Sequence, residues 1–449
     1  MKLLLISLGC DKNLVDSEKM LGALTAGGYE LTDDEQEAEI AVINTCCFIE
    51  DAKKESIETI FELTPYKEAG TLKAIVVTGC MAQRYREEIE AEIPEVDAIV
   101  GTTGYDEIVA ACDAALSGRH TAVVKDASTD PAMKEKRVVT TGGFFAYLKI
   151  AEGCDKHCTY CAIPKMRGSY RSFPMEELLA EARDLADRGV RELILVAQET
   201  TLYGTDLYGR KCLHELLRKL VRIEGIRWIR LLYCYPEEIY PELIDVIAEE
   251  PKICHYLDLP IQSASDTVLR RMNRKTDRQE LRELILTLRE RIPDIVLRTT
   301  LITGFPGETE EEHEETLRFV EEMRFDRLGV FLYSKEEGTP AERMHPQIRK
   351  YVKKRRMNEI MKLQQKISLE KNEARIGEEL EAFVEGALPE EGVCVTRTYG
   401  DAPQVDGCLF LNTERTLMTG DIVRVRVTGA SEYDLIGELA EEEEEDEFL

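Results

Sequence analysis

Short apolar runs alternating with longer amphipathic stretches, twice over, constrain this chain more than any other feature. From residue 1 to about 118 the runs LLLIS, AEIAVINT, LKAIVVT and DAIVG are separated by helix-length segments. That is how a parallel sheet with crossover helices reads. The first three runs lead directly into a cysteine: Cys10 in SLGC, Cys46 in NTCC and Cys80 in TGC. In an open parallel sheet the carboxyl ends of the strands share one edge, so three thiols far apart in sequence would converge on one crevice. A single strand-end cysteine is ordinary core filling; three in succession read as a ligand set. Cys47, beside one of them, and Cys112, in the apparent helix YDEIVAACDAALSG, read as core residues.

The polar stretch DASTDPAMKEKRVVTTGG, 126–143, shows little periodicity, and a linker is expected over 119–139. A second repeating region, 140–370, follows with the strand candidates FAYLKIAE, ELILVAQ, IRWIRLLY, YLDLP, IVLRTTLIT and DRLGVFLYS. Six strand and helix units predict a parallel barrel or a large part of one, with the active site in the loops after the strands. Those loops carry GCDKHCTYC, Gln198 with Glu199, YCYPEE, PIQSASD and TGFPGE. A long helix, IRKYVKKRRMNEIMKLQQKISLEKNEARIG, comes next; its KKRR run reads as a solvated face, with RNA contact the lesser reading. Residues 373–440 turn short and β-like, which suits a small barrel of about five strands. Residues 441–449, ending EEEEEDEFL in the acidic run, are expected to be disordered. The predicted class is α/β: an open parallel sheet, a partial (β/α)6 barrel and a small terminal β-barrel.

A chain of 449 residues is long enough for several such units. No apolar run approaches the roughly 20 residues of a membrane span, and MKLLLISLGC lacks a signal-peptide core, so a cytoplasmic protein is expected. Thirteen cysteines are many for a reducing compartment, which favours metal ligation over disulfides. The formal charge of −29 disfavours broad attraction to nucleic acid. From Gly377 to Leu449, 20 acidic residues stand against 4 arginines and no lysine, a formal −16, so a basic protein partner is expected there.

Cys154, Cys158 and Cys161 are spaced C-x3-C-x2-C. Zinc sites usually close with four protein ligands and paired C-x2-C knuckles, so neither a zinc site nor a redox pair fits well. A 4Fe-4S cluster held by three cysteines leaves one iron open to a small molecule. The same spacing is the signature of the radical S-adenosylmethionine enzymes, which this loop and its place after the first barrel strand resemble. The resemblance implies S-adenosylmethionine on the open iron, cleaved to a 5'-deoxyadenosyl radical. It places Tyr160 beside the adenine and brings the backbone at Gly304 and Gly307 close to the cofactor. Glu308 is a polar contact or simply a helix N-terminal acid. Gln198, Gln262 and Arg298 are further cofactor contacts, or buried polar groups satisfied within the barrel. His157 occupies a variable position and is not taken as a ligand. No catalytic side chain beyond the clusters is expected.

Across nearly its whole length, on SLGCDKN, NTCCFIEDAKKES, VTGCMAQR, the cysteine loop, GFPGET and a TRAM-like terminal barrel, the chain is similar to the methylthiotransferases. That similarity implies a second 4Fe-4S cluster on Cys10, Cys46 and Cys80, whose open iron binds sulfide or a sulfur chain. One branch of the family modifies a tRNA adenosine; another modifies the β-carbon of an aspartate in a small-subunit ribosomal protein. AEGCDKHCTYCAIPKMRGSYRS, TYGDAPQVDGCLFLN and FIEDAKKES resemble the ribosomal-protein branch. The acidic terminal region agrees, since ribosomal proteins are commonly basic. The target would be met free or within the ribosomal subunit, with flavodoxin or ferredoxin as electron donor. tRNA methylthiolation is the nearest alternative, and a non-catalytic iron-sulfur protein a more distant one. Ser263 and Ala264 in PIQSAS, and Phe173 in RSFP, depart from the family pattern.

Overall fold

A computed structural model of the protein describes residues 1–129, 136–388 and 392–440. Its first sheet contains six parallel strands: β1 (Lys2–Ser7), β2 (Glu30–Leu31), β3 (Ile40–Thr45), β4 (Ala74–Gly79), β5 (Ala98–Val100) and β6 (Thr121–Val123). Their order is β2-β1-β3-β4-β5-β6. IAVINT and AIVVTG are buried at every residue, as strands covered by helices on both faces must be. Val42, Ala74 and Val76 pack with Met20 and Leu24 of helix Asp11–Ala26, whereas Ile43, Ile75 and Val77 pack with Ile60 and Leu63 of helix Glu50–Glu68.

Thr121–Val123 corrects the linker expected over 119–139, because these residues pair with Ala98–Val100 as the sheet's sixth strand. Three half-buried residues are too few to show a period of two. The end of that stretch is docked as well. Val138 N–H donates to Glu18 O at 3.0 Å and Thr140 N–H to Glu18 Oε1 at 2.7 Å.

The central unit begins with β7 (Phe145–Lys149). A two-residue antiparallel ribbon, β8 (Ala151–Glu152) and β9 (Arg171–Ser172), then brackets the cysteine loop. β10 (Glu192–Val196), β11 (Trp228–Leu231), β12 (Ile253–Asp258), β13 (Val296–Thr303) and β14 (Arg327–Leu332) complete six parallel strands in sequence order, as the six expected units require. Alternate residues face opposite ways. Leu193, Leu195 and Leu231 meet the helical layer, whereas Ile194, Val196, Trp228 and Tyr256 form a separate apolar face. That face is covered by Val15 from helix Asp11–Ala26 and by Phe383 and Ala402 from the terminal unit.

The terminal unit is a closed five-stranded barrel of β15 (Glu379–Leu388), β16 (Val393–Thr398), β17 (Leu409–Asn412), β18 (Ile422–Ala430) and β19 (Leu435–Leu439). Its β16–β17 connection, part of TYGDAPQVDG, is wedged against the central sheet. Arg397 pairs with Glu192 at 2.5 Å, Glu192 with Arg230 at 2.8 Å, and Tyr256 Oη donates to Asp406 at 2.6 Å. Glu192, Arg230 and Arg397 are each at most 1% exposed, so the ion set has no water to share.

Helix Lys350–Glu373 departs from a uniformly solvated KKRR face. Arg356 is buried on Glu308 at 2.7 Å, and Lys353 Nζ donates to Tyr333 O at 2.6 Å; Lys354 and Arg355 are exposed. Among the described residues, no helix is long and apolar enough to cross a membrane. The acidic tail 441–449 lies outside the described residues.

Candidate functional site

Cys10, Cys46 and Cys80 stand at the carboxyl ends of β1, β3 and β4, which are adjacent in the sheet. The turn before Cys10 requires glycine. Gly9 has φ +90°, and a Cβ there would lie 2.7 Å from Cys46 Cβ, so the backbone of one cysteine loop lies against the side chain of another. Asn13, 1% exposed, ties the three ends together. Its Nδ2 donates to Leu8 O at 2.9 Å and to Thr45 O at 3.0 Å, and its Oδ1 lies 3.8 Å from Cys80 Sγ. Burial pushes the Cys46 thiol up to about 12, with Cys80 and Cys10 adding to the rise. Cys80 is also raised by burial, against the opposing pull of the Arg167 guanidinium. The approach of Gly9 to Cys46 and the contact of Cys80 with Asn13 bring the three cysteine loops together. Cys47 instead meets Met166 Sδ at 3.2 Å, and Cys112 is fully buried in the helix-facing core.

The second cysteine loop follows β8. Gly153 has φ +77°, and a Cβ would stand 2.1 Å from Ser169 O, so no side chain fits ahead of Cys154. Thr159 N–H donates to Met272 O at 3.0 Å, and Ala341 N–H donates to Thr159 O at 2.9 Å, which fixes the middle of the loop. Burial raises the Cys154 thiol to about 12, with Cys158 adding. It raises Cys161 too, under the influence of Cys158 and Cys154. Cys158 Sγ lies 3.9 Å from Tyr235 Oη, whose ring carries the Arg274 guanidinium at 4.4 Å. Tyr160 packs beside Phe305, Tyr333 and Met272, an apolar wall of the kind an adenine would use. His157 is exposed, with φ +50°.

Between the two loops runs a buried polar chain that sequence reasoning missed. Arg167, at the end of helix Ile163–Arg167, pairs with Asp16 at 2.6 Å and with Glu152 at 3.1 Å, and also donates to Asn13 Oδ1. Lys149 pairs with the same two carboxylates. Burial works against the Glu152 carboxylate, but Lys149 and Arg167 outweigh it and hold the group well below the usual range. Glu152 also accepts from Gln198 Nε2 at 2.6 Å. Nothing in the sequence marks these residues except their proximity to the quoted motifs.

The expected cofactor contacts divide into two groups. Gln198 Oε1 and Gln262 Oε1 are buried without a hydrogen-bond partner, as are Glu199 Oε2, Ser265 Oγ and Thr303 Oγ1. All lie at or just beyond the carboxyl ends of β10, β12 and β13. Unpaired buried polar atoms are unfavourable by about 1–3 kcal/mol each, and their grouping at the strand ends fits a polar ligand such as S-adenosylmethionine. Arg298, by contrast, is engaged by Asp258 at 2.8 Å and by Asp406 of the terminal barrel at 3.4 Å. Beside Gly304 and Gly307 the space is filled by Lys353 and Arg271, so both glycines have a packing role without any cofactor. Glu308 accepts from Gly304 N–H at 2.6 Å and pairs with Arg356, a structural role.

Among the described residues, no group of three or more His, Cys, Asp or Glu side chains is arranged to hold a metal ion. A four-iron cluster spreads its thiolates over separate corners, wider than ligands around one ion. Two all-cysteine sets on loops fit that requirement by donor type, since thiolates select iron-sulfur clusters. Iron binding must displace protons from the raised thiols of Cys46, Cys80, Cys154 and Cys161.

Three family models match the chain. The uncharacterized protein family UPF0004 covers residues 2–101, the radical SAM superfamily 148–320 and the TRAM domain 376–440. A solved radical S-adenosylmethionine methyltransferase, TsrM from Kitasatospora setae, is similar with a TM-score of 0.55 at 16% identity over 76% of each chain. At that identity the likeness speaks for the fold alone. Relatives named ribosomal protein uS12 methylthiotransferase RimO are 61% identical in Lachnoclostridium phytofermentans, over 97% of this chain and 99% of the relative, and 51% identical in Desulforamulus reducens, over 97% and 99%. The Clostridioides difficile relative of the same name is 48% identical over 98% of this chain and 99% of its own length. With the radical SAM core and its cysteine loop in place, near-complete coverage at these identities establishes that the chain belongs to the RimO family of ribosomal protein uS12 methylthiotransferases.

Proposed function

We propose that the chain inserts a methylthio group at the β-carbon of an aspartate in ribosomal protein uS12, using two 4Fe-4S clusters. Cys154, Cys158 and Cys161 would hold the cluster that opens one iron to S-adenosylmethionine, and Cys10, Cys46 and Cys80 the cluster that carries the sulfur. When bound, the first supplies reductive cleavage of the sulfonium and a hydrogen-abstracting radical, chemistry that ordinary side chains lack. Around it, Tyr160 and the unpaired oxygens of Gln198, Gln262 and Thr303 orient the cofactor. The carrying observation is the buried chain from Cys80 through Asn13 and Arg167 to Glu152, two residues before Cys154, which supports one site for the two cysteine sets.

We take residues 140–370 as the radical core and 373–440 as the TRAM-like barrel, with the first unit running on to Val123 because β6 pairs with its sheet. The acidic terminal barrel suits a basic ribosomal protein, with RNA contact secondary. Arg298, expected as a cofactor contact or a buried polar group, is held by Asp258 and by Asp406 of the terminal barrel. A ribosomal substrate supports a cytoplasmic reaction, in which flavodoxin or ferredoxin would deliver electrons.

The test is anaerobic reconstitution followed by incubation with uS12 and with tRNA. The expected product is uS12 heavier by one methylthio group, with tRNA unchanged; a gain on tRNA alone overturns the substrate. Iron analysis tests the two centres, with about eight irons per chain expected. Cys158→Ala and Cys46→Ala should each retain about half of the iron, and only Cys158→Ala should abolish deoxyadenosine formation.

A further inference from the structure

We propose that Arg167, acting with Asn13, is a positioning residue that sets the two cysteine sets in fixed register for methylthio transfer. This rests on the two-cluster reading above. Arg167 closes a helix that begins two residues after Cys161, so it is covalently close to one set. Its guanidinium leaves that unit and meets Asp16 at 2.6 Å and Asn13 Oδ1 in the other. Asn13 in turn holds Leu8 O, Thr45 O and the neighbourhood of Cys80 Sγ, so one amide reaches the approach to all three N-terminal cysteines. On its near side Arg167 grips Glu152 at 3.1 Å, immediately before Gly153 and Cys154.

A planar fork holds its partners in fixed directions, whereas the three donors of an ammonium rotate about a flexible stem. The charges in the set are balanced, Asp16 and Glu152 against Lys149 and Arg167. Arg167→Lys therefore keeps the charge count and removes only the fork. Substrate carbon and sulfur donor must meet within a narrow separation, and small misplacements reduce such steps steeply.

The experiment compares the full chain, reconstituted anaerobically, as wild type, Arg167→Lys, Asn13→Ser and the double variant. It reads iron per chain, methylthio-uS12 formed per deoxyadenosine, and the electron paramagnetic resonance spectrum of the N-terminal cluster alone in a Cys158→Ala background. The expected result is unchanged iron, a fall of about tenfold or more in product per deoxyadenosine, and a shifted spectrum. The double variant should be no worse than the poorer single one, because both break one link. A wild-type product ratio with a wild-type spectrum overturns the proposal, and so does loss of iron from both sites, which would make Arg167 merely structural. If wild type itself binds about four irons, the two-cluster reading fails and this inference falls with it. Eight irons with an unaltered ratio in Arg167→Lys overturns the inference alone.

Discussion

At the scale of single residues, the least replaceable positions are the glycines placed ahead of cysteines. Gly153→Ala would combine a left-handed backbone, unfavourable by about 1–2 kcal/mol for any other residue, with a Cβ 2.1 Å from Ser169 O. The expected outcome is a chain that folds but loses about half its iron, measured by iron content against Cys46→Ala. Glu199 offers a different test. Burial pushes its carboxyl up to about 7, against the pull of Thr201 and Lys156. A carboxyl raised on folding binds its proton more tightly in the native state, so stability is greatest at low pH and declines as pH rises from about 4.5 to about 7. Glu199→Gln mimics the protonated form. Cluster-free wild type should therefore lose about 3 kcal/mol relative to this variant across that window, read by denaturant unfolding at each pH. Such residues were half-legible beforehand. The cysteines declared themselves by position after apolar runs, but Asn13, Asp16 and Glu18 are polar side chains on a helix, and composition reads polar as exposed. All three are at most 3% exposed, because the central unit covers the helix face that would otherwise meet water.

Among elements, both parallel sheets were readable because long buried strands are nearly all apolar, as in IAVINT and AIVVTG. β6 was missed because TAV is short, whereas the terminal barrel was foreseen at about five strands but not strand by strand, since VCVTRT and LIGEL interleave polar residues in a barrel with one wet face. What TYGDAPQVDG does was also illegible, since an aspartate-rich loop reads as surface and only its ion partners on the central sheet bury it. That attachment is testable. Glu192→Gln leaves Arg230 and Arg397 facing each other without their shared carboxylate. Removing one member of a buried ion set typically destabilises by about 3–5 kcal/mol, so the variant should unfold at clearly lower denaturant with little change in slope.

For the whole molecule, the interfaces are as buried as the cores. Phe383 packs edge-on to Trp228 at 4.5 Å, and Ala402 joins the same apolar face as Tyr147 and Tyr256. The central and terminal units should therefore melt together in one calorimetric transition, and a chain ending at residue 376 should aggregate rather than persist as a trimmed enzyme, as read by size-exclusion chromatography.

That shared apolar face also has a consequence for biosynthesis. A ribosome releases the amino terminus first, so Trp228 and Tyr256 emerge long before Phe383 and Ala402, the residues that cover them. Throughout that interval the nascent polypeptide presents a sticky, half-finished sheet, and only the closing stretch of translation seals it.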